Sequence, residues 1–184
     1  MPDLSEQIIT AYVADVEASG HRFDPVALRP ALVELRAGYR TGSPRFTSAD
    51  ARAAYSLAYH PYHAHLMVEV LRRMADVMLF DRSTVRVTVY GAGPGAEVCA
   101  LTHFLAEHRP AVKRLEVQLV DAEEGWTDTR ERTLVRSVPT WWSGELVLTH
   151  HVLDLTEPAD IDRAITLAAG SELIVAQAVL TELL

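Results

Sequence analysis

Three glycines, Gly91, Gly93 and Gly95, stand at alternate positions in the stretch VTVYGAGPGAEV. They follow a run of alternating β-branched residues and precede a helix-like segment. Without a Cβ the backbone can turn tightly there, and a ligand can approach it beside the free N–H groups of a helix start. Asp121 closes a second strand-like run, LEVQLVD, and Asp154 closes a third, ELVLTHHVLD. In a parallel sheet a carboxylate ending the second strand points at the crevice where a ribose lies, and it can accept both ribose hydroxyls. Asp154, placed in the same fashion, could accept a hydrogen bond from an adenine amino group. Each feature alone is ordinary, since a glycine after a strand is commonly only a turn. Together, at three successive strand ends, they point to a nucleoside site.

Other residues carry two readings each. Tyr55, Tyr59, His60, Tyr62 and His63 crowd the segment AYHPYHAHL, just before the first strand. Either they belong to a cap that orients a substrate or accepts its proton, or the tyrosines pack and the histidines cap helices. His60, His63 and His65 show no helical pair with a carboxylate partner, so no metal is expected. Trp126 either covers one face of adenine or plugs the packing between helix and sheet. Of Trp141 and Trp142, one is expected in the core and the other at its rim. His150 and His151 alternate within a strand and so face opposite sides. Cys99, the one cysteine, reads as a buried thiol that makes no internal disulfide.

The elements that position these residues follow from periodicity. Ser5 is expected to cap a helix bearing Ile8, Ile9, Tyr12, Val13 and Val16, stopped at Gly20. Asp24-Pro25 offers a second helix start, with Leu32, Leu35 and Tyr39 on one face and a delay at Pro30. TGSPRF is a loop, and Ser48 or Thr47 caps the next helix. Pro61 opens another, over residues 61–80, whose Leu66, Met67, Val70, Leu71, Met74 and Met78 imply that most of it is buried. The period then becomes two over residues 84–90, and strands alternate with helices of about a dozen residues to the end of the chain. That order predicts an α/β fold: a Rossmann-like, mostly parallel sheet of about four strands with right-handed crossovers, preceded by helices. Residues 1–81 read as a helical cap region and residues 82–184 as the cofactor-binding part.

Composition bounds the partners. Of 184 residues, 49% are hydrophobic and 23% charged, which is the balance of a chain that buries a core rather than a disordered one. Acids outnumber bases 25 to 17, for a formal charge of -8, and the bases do not cluster, which disfavours nucleic acid as a partner. No apolar run reaches the roughly 20 residues that a membrane helix needs, and the N-terminus has no signal-peptide pattern. A cytoplasmic protein without a membrane partner is expected.

The succession of a strand, GAGPGAE, a helix, LVDAEEGW, VLDL and VAQAVL resembles the class I S-adenosylmethionine-dependent methyltransferases over residues 84–184. The resemblance implies S-adenosyl-L-methionine as cofactor. It puts Gly91, Gly93 and Gly95 under the methionine portion, Asp121 on the ribose and Asp154 on adenine. It also matches Glu97 to the acid that follows the loop, and Gln177 to the polar residue after the fourth strand. Three departures accompany it. Val89 stands where an acid often precedes the loop, the run of strands stops at the fourth, and no motif for amino-group methylation follows that strand. From these the expectation is a methyltransferase of unassigned acceptor, inactive without a partner chain or the second half of the sheet. The apolar edge Leu173 to Leu180 would then be completed by a longer chain or by a second copy in a homodimer.

Two other functions fit the residues. A non-catalytic nucleoside-binding or interaction module could keep such a half-fold. A nicotinamide-dependent oxidoreductase also matches the G-x-G-x-x-A spacing, although about eighty helical residues before the first strand are foreign to it.

Overall fold

The computed structural model describes residues 3–18, 20, 23–42, 44–77 and 80–177. Its sheet consists of β1 (Thr84–Tyr90), β2 (Arg114–Asp121), β3 (Glu145–Val152) and β4 (Leu173–Ala176). All four strands are parallel, in the order β3-β2-β1-β4. The described part of the chain is therefore a Rossmann-like α/β fold. The register aligns Leu148, Val117, Val87 and Leu173 in one row across the sheet. That row, with Val85, Val89, Leu115, Leu119 and Val175, forms the inner apolar face.

Helices α5 (Ala96–His108) and α6 (Trp126–Ser137) cover this face, and α7 (Pro158–Ala168) crosses to the other. The second face is apolar only near the carboxyl ends of the strands, where Val120, Leu153 and Ala164 pack together. There Tyr90 Oη donates to Ala164 O at 2.7 Å. Toward the other ends the same face is charged: Glu116 accepts from Arg86 at 2.9 Å and from Arg114 at 2.7 Å. A parallel sheet with one solvated half-face explains why β2 alternates rather than running continuously apolar.

The N-terminal helices are α1 (Leu4–Ala18), α2 (Arg29–Thr41), α3 (Ala49–Ala58) and α4 (His60–Arg73). They form a further layer, with α4 against α5 and α1 against both α4 and α6. Several expectations need correction. Asp3, rather than Ser5, serves the start of α1, its carboxylate accepting the Ser5 N–H at 3.4 Å. The buried stripe of α1 is Leu4, Ile8, Ala11, Tyr12 and Asp15, so Ile9 turns outward. Ser48, not Thr47, caps α3, accepting the Ala51 N–H at 3.0 Å. Asp24 does fold its own turn, accepting the Val26 N–H at 2.9 Å, and α2 itself begins at Arg29. Helix α4 stops at Arg73 and buries only one stripe, through Ala64, Met67, Val68 and Leu71. Leu66, Val70 and Met74 are exposed because α1 and α5 cover that single side. Strand β4 ends at Ala176, and Met78 and residues 178–180 of the expected fourth strand lie outside the described residues. Among the described residues no helix is long and apolar enough to cross a membrane.

Candidate functional site

A cleft of about 360 Å³ opens at the carboxyl ends of the strands. Gly91, Gly93 and Val120 form its floor, and Asp121, Glu123, Asp154 and Gln177 stand around it. Tyr39, Tyr55 and the strap Pro44–Thr47, between α2 and α3, supply the cap side. Topology dictates this place: strand ends and loops converge there while the helices that follow lead away. Five of the seven residues expected to bind a cofactor line this cleft, namely Gly91, Gly93, Asp121, Asp154 and Gln177. Gly95 and Glu97 lie behind it.

The glycine loop is fastened to β2. Ala92 N–H donates to Val120 O at 3.1 Å, and Gly93 N–H donates to Asp121 Oδ2 at 2.7 Å. Asp121 Oδ1 accepts the Glu123 N–H at 2.9 Å. Burial pushes the Asp121 pKa up, while those two N–H groups and Arg130 oppose the rise. Gly93 is left-handed, with φ 45°, and a Cβ there would find only Tyr55 Cε1, at 4.0 Å. Its missing side chain is thus open cleft. Gly95 differs: with φ 91°, a Cβ would meet Leu134 Cδ1 at 2.9 Å and Arg130 Cγ at 3.3 Å. Its bareness lets α5 and α6 approach each other.

Behind the loop lies a buried set of ionisable side chains. Arg130, 2% exposed, donates through Nη1 to Gly93 O at 3.1 Å and meets His150 Nδ1 at 3.1 Å through Nη2. Glu97 is 4% exposed, and its Oε2 has no hydrogen-bond partner. Burial, with Asp121 adding to it, raises its pKa to about 8 against the pull of its own N–H and of Arg130. Burial in turn lowers Arg130 to about 10. The sequence reading missed Arg130. Its signal was an arginine inside the stripe Trp126, Arg130, Thr133, Leu134 and Ser137, which is the buried face of α6.

Asp154 sits two residues past β3, where its Oδ1 accepts from Thr156 N–H at 2.9 Å and Thr156 Oγ1 at 2.7 Å. These bonds hold its pKa below the usual range. Gln177 Nε2 donates to His63 O at 3.2 Å, joining the end of β4 to α4. On the cap side, the Tyr55 ring centroid lies 5.2 Å from Phe46, 5.2 Å from Tyr59 and 5.7 Å from Trp126. Trp126 is 2% exposed, yet it lines the cleft, its ring centroid also 5.7 Å from that of Phe46, and it stands outside the core clusters of the sheet. His60 is buried, and burial lowers its pKa to about 3, leaving it neutral. His150 and His151 do part to opposite faces, toward Arg130 and Gln118. Cys99 is buried, and Trp142 is core while Trp141 is half-buried. Among the described residues no group of His, Cys, Asp and Glu could hold a metal ion.

No protein-family model matches this chain, and no curated protein matches it in sequence.

Proposed function

We propose that the chain binds S-adenosyl-L-methionine in this cleft and serves as a methyltransferase of the class I kind, with the acceptor unassigned. One observation carries the reading: the glycine loop, Asp121 and Asp154, at the ends of three successive strands, line a single cleft. The residues present fit such a ligand. Gly93 leaves open space where a side chain would stand. Each Asp121 oxygen already accepts one backbone N–H and keeps a second lone pair for a ribose hydroxyl. Asp154 Oδ1 is occupied by Thr156, which fixes the carboxylate in place for an adenine amino group.

When bound, this cofactor supplies an electrophilic methyl group for in-line displacement. The chain's own part is positioning and exclusion of water. Gly91 and Gly93 admit the ligand to the backbone, Asp121 orients the ribose, and Phe46 and Tyr55 shield it from above. Gln177, held by His63 O, borders the place where an acceptor would enter. A nucleoside-binding module without catalysis is the second reading, favoured by Val89, fully buried where an acid is often found. Isothermal calorimetry with S-adenosylmethionine, S-adenosylhomocysteine and reduced nicotinamide dinucleotide tests the assignment. Saturable binding of the first two supports it. Binding of the dinucleotide alone would overturn it, as would no binding at all.

A further inference from the structure

We propose that Arg52 is a positioning residue that holds the strap Pro44–Thr47 over the cleft and thereby sets how long a nucleoside-containing ligand stays bound. Arg52 lies in α3 and reaches back to the strap. Its Nη1 donates to Phe46 O at 2.8 Å, to Thr47 O at 3.0 Å and to Glu123 Oε1 at 3.4 Å. One nitrogen thus ties two strap carbonyls to a loop of the α/β part. Glu123 continues the connection, because its N–H donates to Asp121, which in turn accepts from Gly93. Strap, guanidinium, Glu123, Asp121 and glycine loop form one hydrogen-bonded chain around the cleft mouth.

Gly125 supplies an independent observation. Its backbone is ordinary right-handed helical, with φ -61° and ψ -12°, so the conformation does not require glycine. A Cβ at that position would overlap the Arg52 guanidinium, at Cζ and both terminal nitrogens. What the glycine provides is room for the arginine. The side chains on either side are largely covered, 16% exposed for Arg52 and 23% for Glu123, so water screens this contact less than it would a surface pair.

The geometry yields two ways to open the same latch. Arg52→Met removes the donors and keeps the stem. Gly125→Ala leaves every charge in place and displaces the flexible guanidinium. If the latch is real, the two changes are non-additive. Hydrogen exchange of the amides between residues 45 and 52 should rise about tenfold in either variant, as expected for losing charged hydrogen bonds, and no further in the double variant. This part needs no ligand. The proposal also rests on the nucleoside reading, for which dissociation of S-adenosylhomocysteine, followed by stopped flow, is the second measurement. Its rate should rise about tenfold in both single variants and stay there in the double, with association little changed. Unchanged exchange in the single variants, or additive effects in the double, overturns the latch. Faster exchange with an unchanged dissociation rate overturns the strap's hold on the ligand. If the parent binds no S-adenosylhomocysteine, the nucleoside reading and the strap's hold on such a ligand fall together, and the exchange measurement alone decides the latch.

Discussion

Asp121 accepts the Gly93 N–H through one oxygen and the Glu123 N–H through the other, so the carboxylate shapes the loop it is proposed to serve. Asp121→Ala leaves both N–H groups without their acceptor, at a cost of about 1–3 kcal/mol each if they stay unsatisfied. The variant should therefore lose stability in urea unfolding and bind S-adenosylhomocysteine at least about tenfold more weakly. A variant as stable as its parent would show that the loop does not depend on this carboxylate. Glu97 gives a pH dependence. Its folded pKa is raised from 4.5 to about 8, so the folded state keeps a proton that the unfolded chain releases. The stability this confers is complete below about pH 4.5 and is lost as pH rises toward 8. Glu97→Gln keeps the shape and removes the ionisation. Its stability relative to the parent should climb between pH 5 and pH 8, and an equal difference at both pH values contradicts the assignment.

Elements were legible where the period was clear. Strand β1 lies where alternation places it, residues 84–90, and β2 follows its pattern because buried positions alternate along most of it. Helix α5 lies where the glycine loop announces a helix but is buried on nearly all sides, and α7 follows its Pro158 start. The floor of the cleft was legible for a related reason: turn glycines and strand-ending acids mark their own positions. What escaped was long-range. Arg52 and Glu123 are 71 residues apart and Arg130 and Gly93 are 37 apart, and no local pattern announces such partners. Gly93 and Gly95 show the same limit, since they look alike in sequence and do different work. Gly95→Ala drives a Cβ into Leu134 and strains a left-handed φ, which should cost about 2–4 kcal/mol through the α5–α6 contact. Gly93→Ala bears the φ strain alone, about 1–2 kcal/mol, and points its methyl into the cleft. Thermal melts and S-adenosylhomocysteine titrations of both should separate them: Gly95→Ala lower in melting temperature, Gly93→Ala at least as impaired in affinity.

At the scale of the whole molecule, the helical region and the sheet share one core. Leu4 and Ile8 of α1 and Ala64, Met67, Val68 and Leu71 of α4 belong to the same buried cluster as Val85, Val87, Val89, Leu101 and Phe104. Asp15 of α1, 5% exposed, adds a polar tie, meeting Arg132 at 3.0 Å and Arg136 at 3.6 Å on α6. The cap thus reaches the cleft on the same frame that holds the glycine loop. This continuity predicts a single cooperative unfolding transition. All three tryptophans, Trp126, Trp141 and Trp142, lie in the α/β part. Trp126 touches Phe46 and Tyr55 of the cap side, so a Trp126→Phe background leaves Trp141 and Trp142 to report the α/β part. Leu71, 1% exposed on α4, is the residue to perturb. Leu71→Ala removes a buried side chain between α4 and the core and should cost about 2–5 kcal/mol. Tryptophan fluorescence and far-ultraviolet circular dichroism should then shift together, by the same amount, in urea. A helical signal that melts ahead of an unmoved tryptophan signal would mean that the cap unfolds as a unit of its own, and the shared core would be wrong.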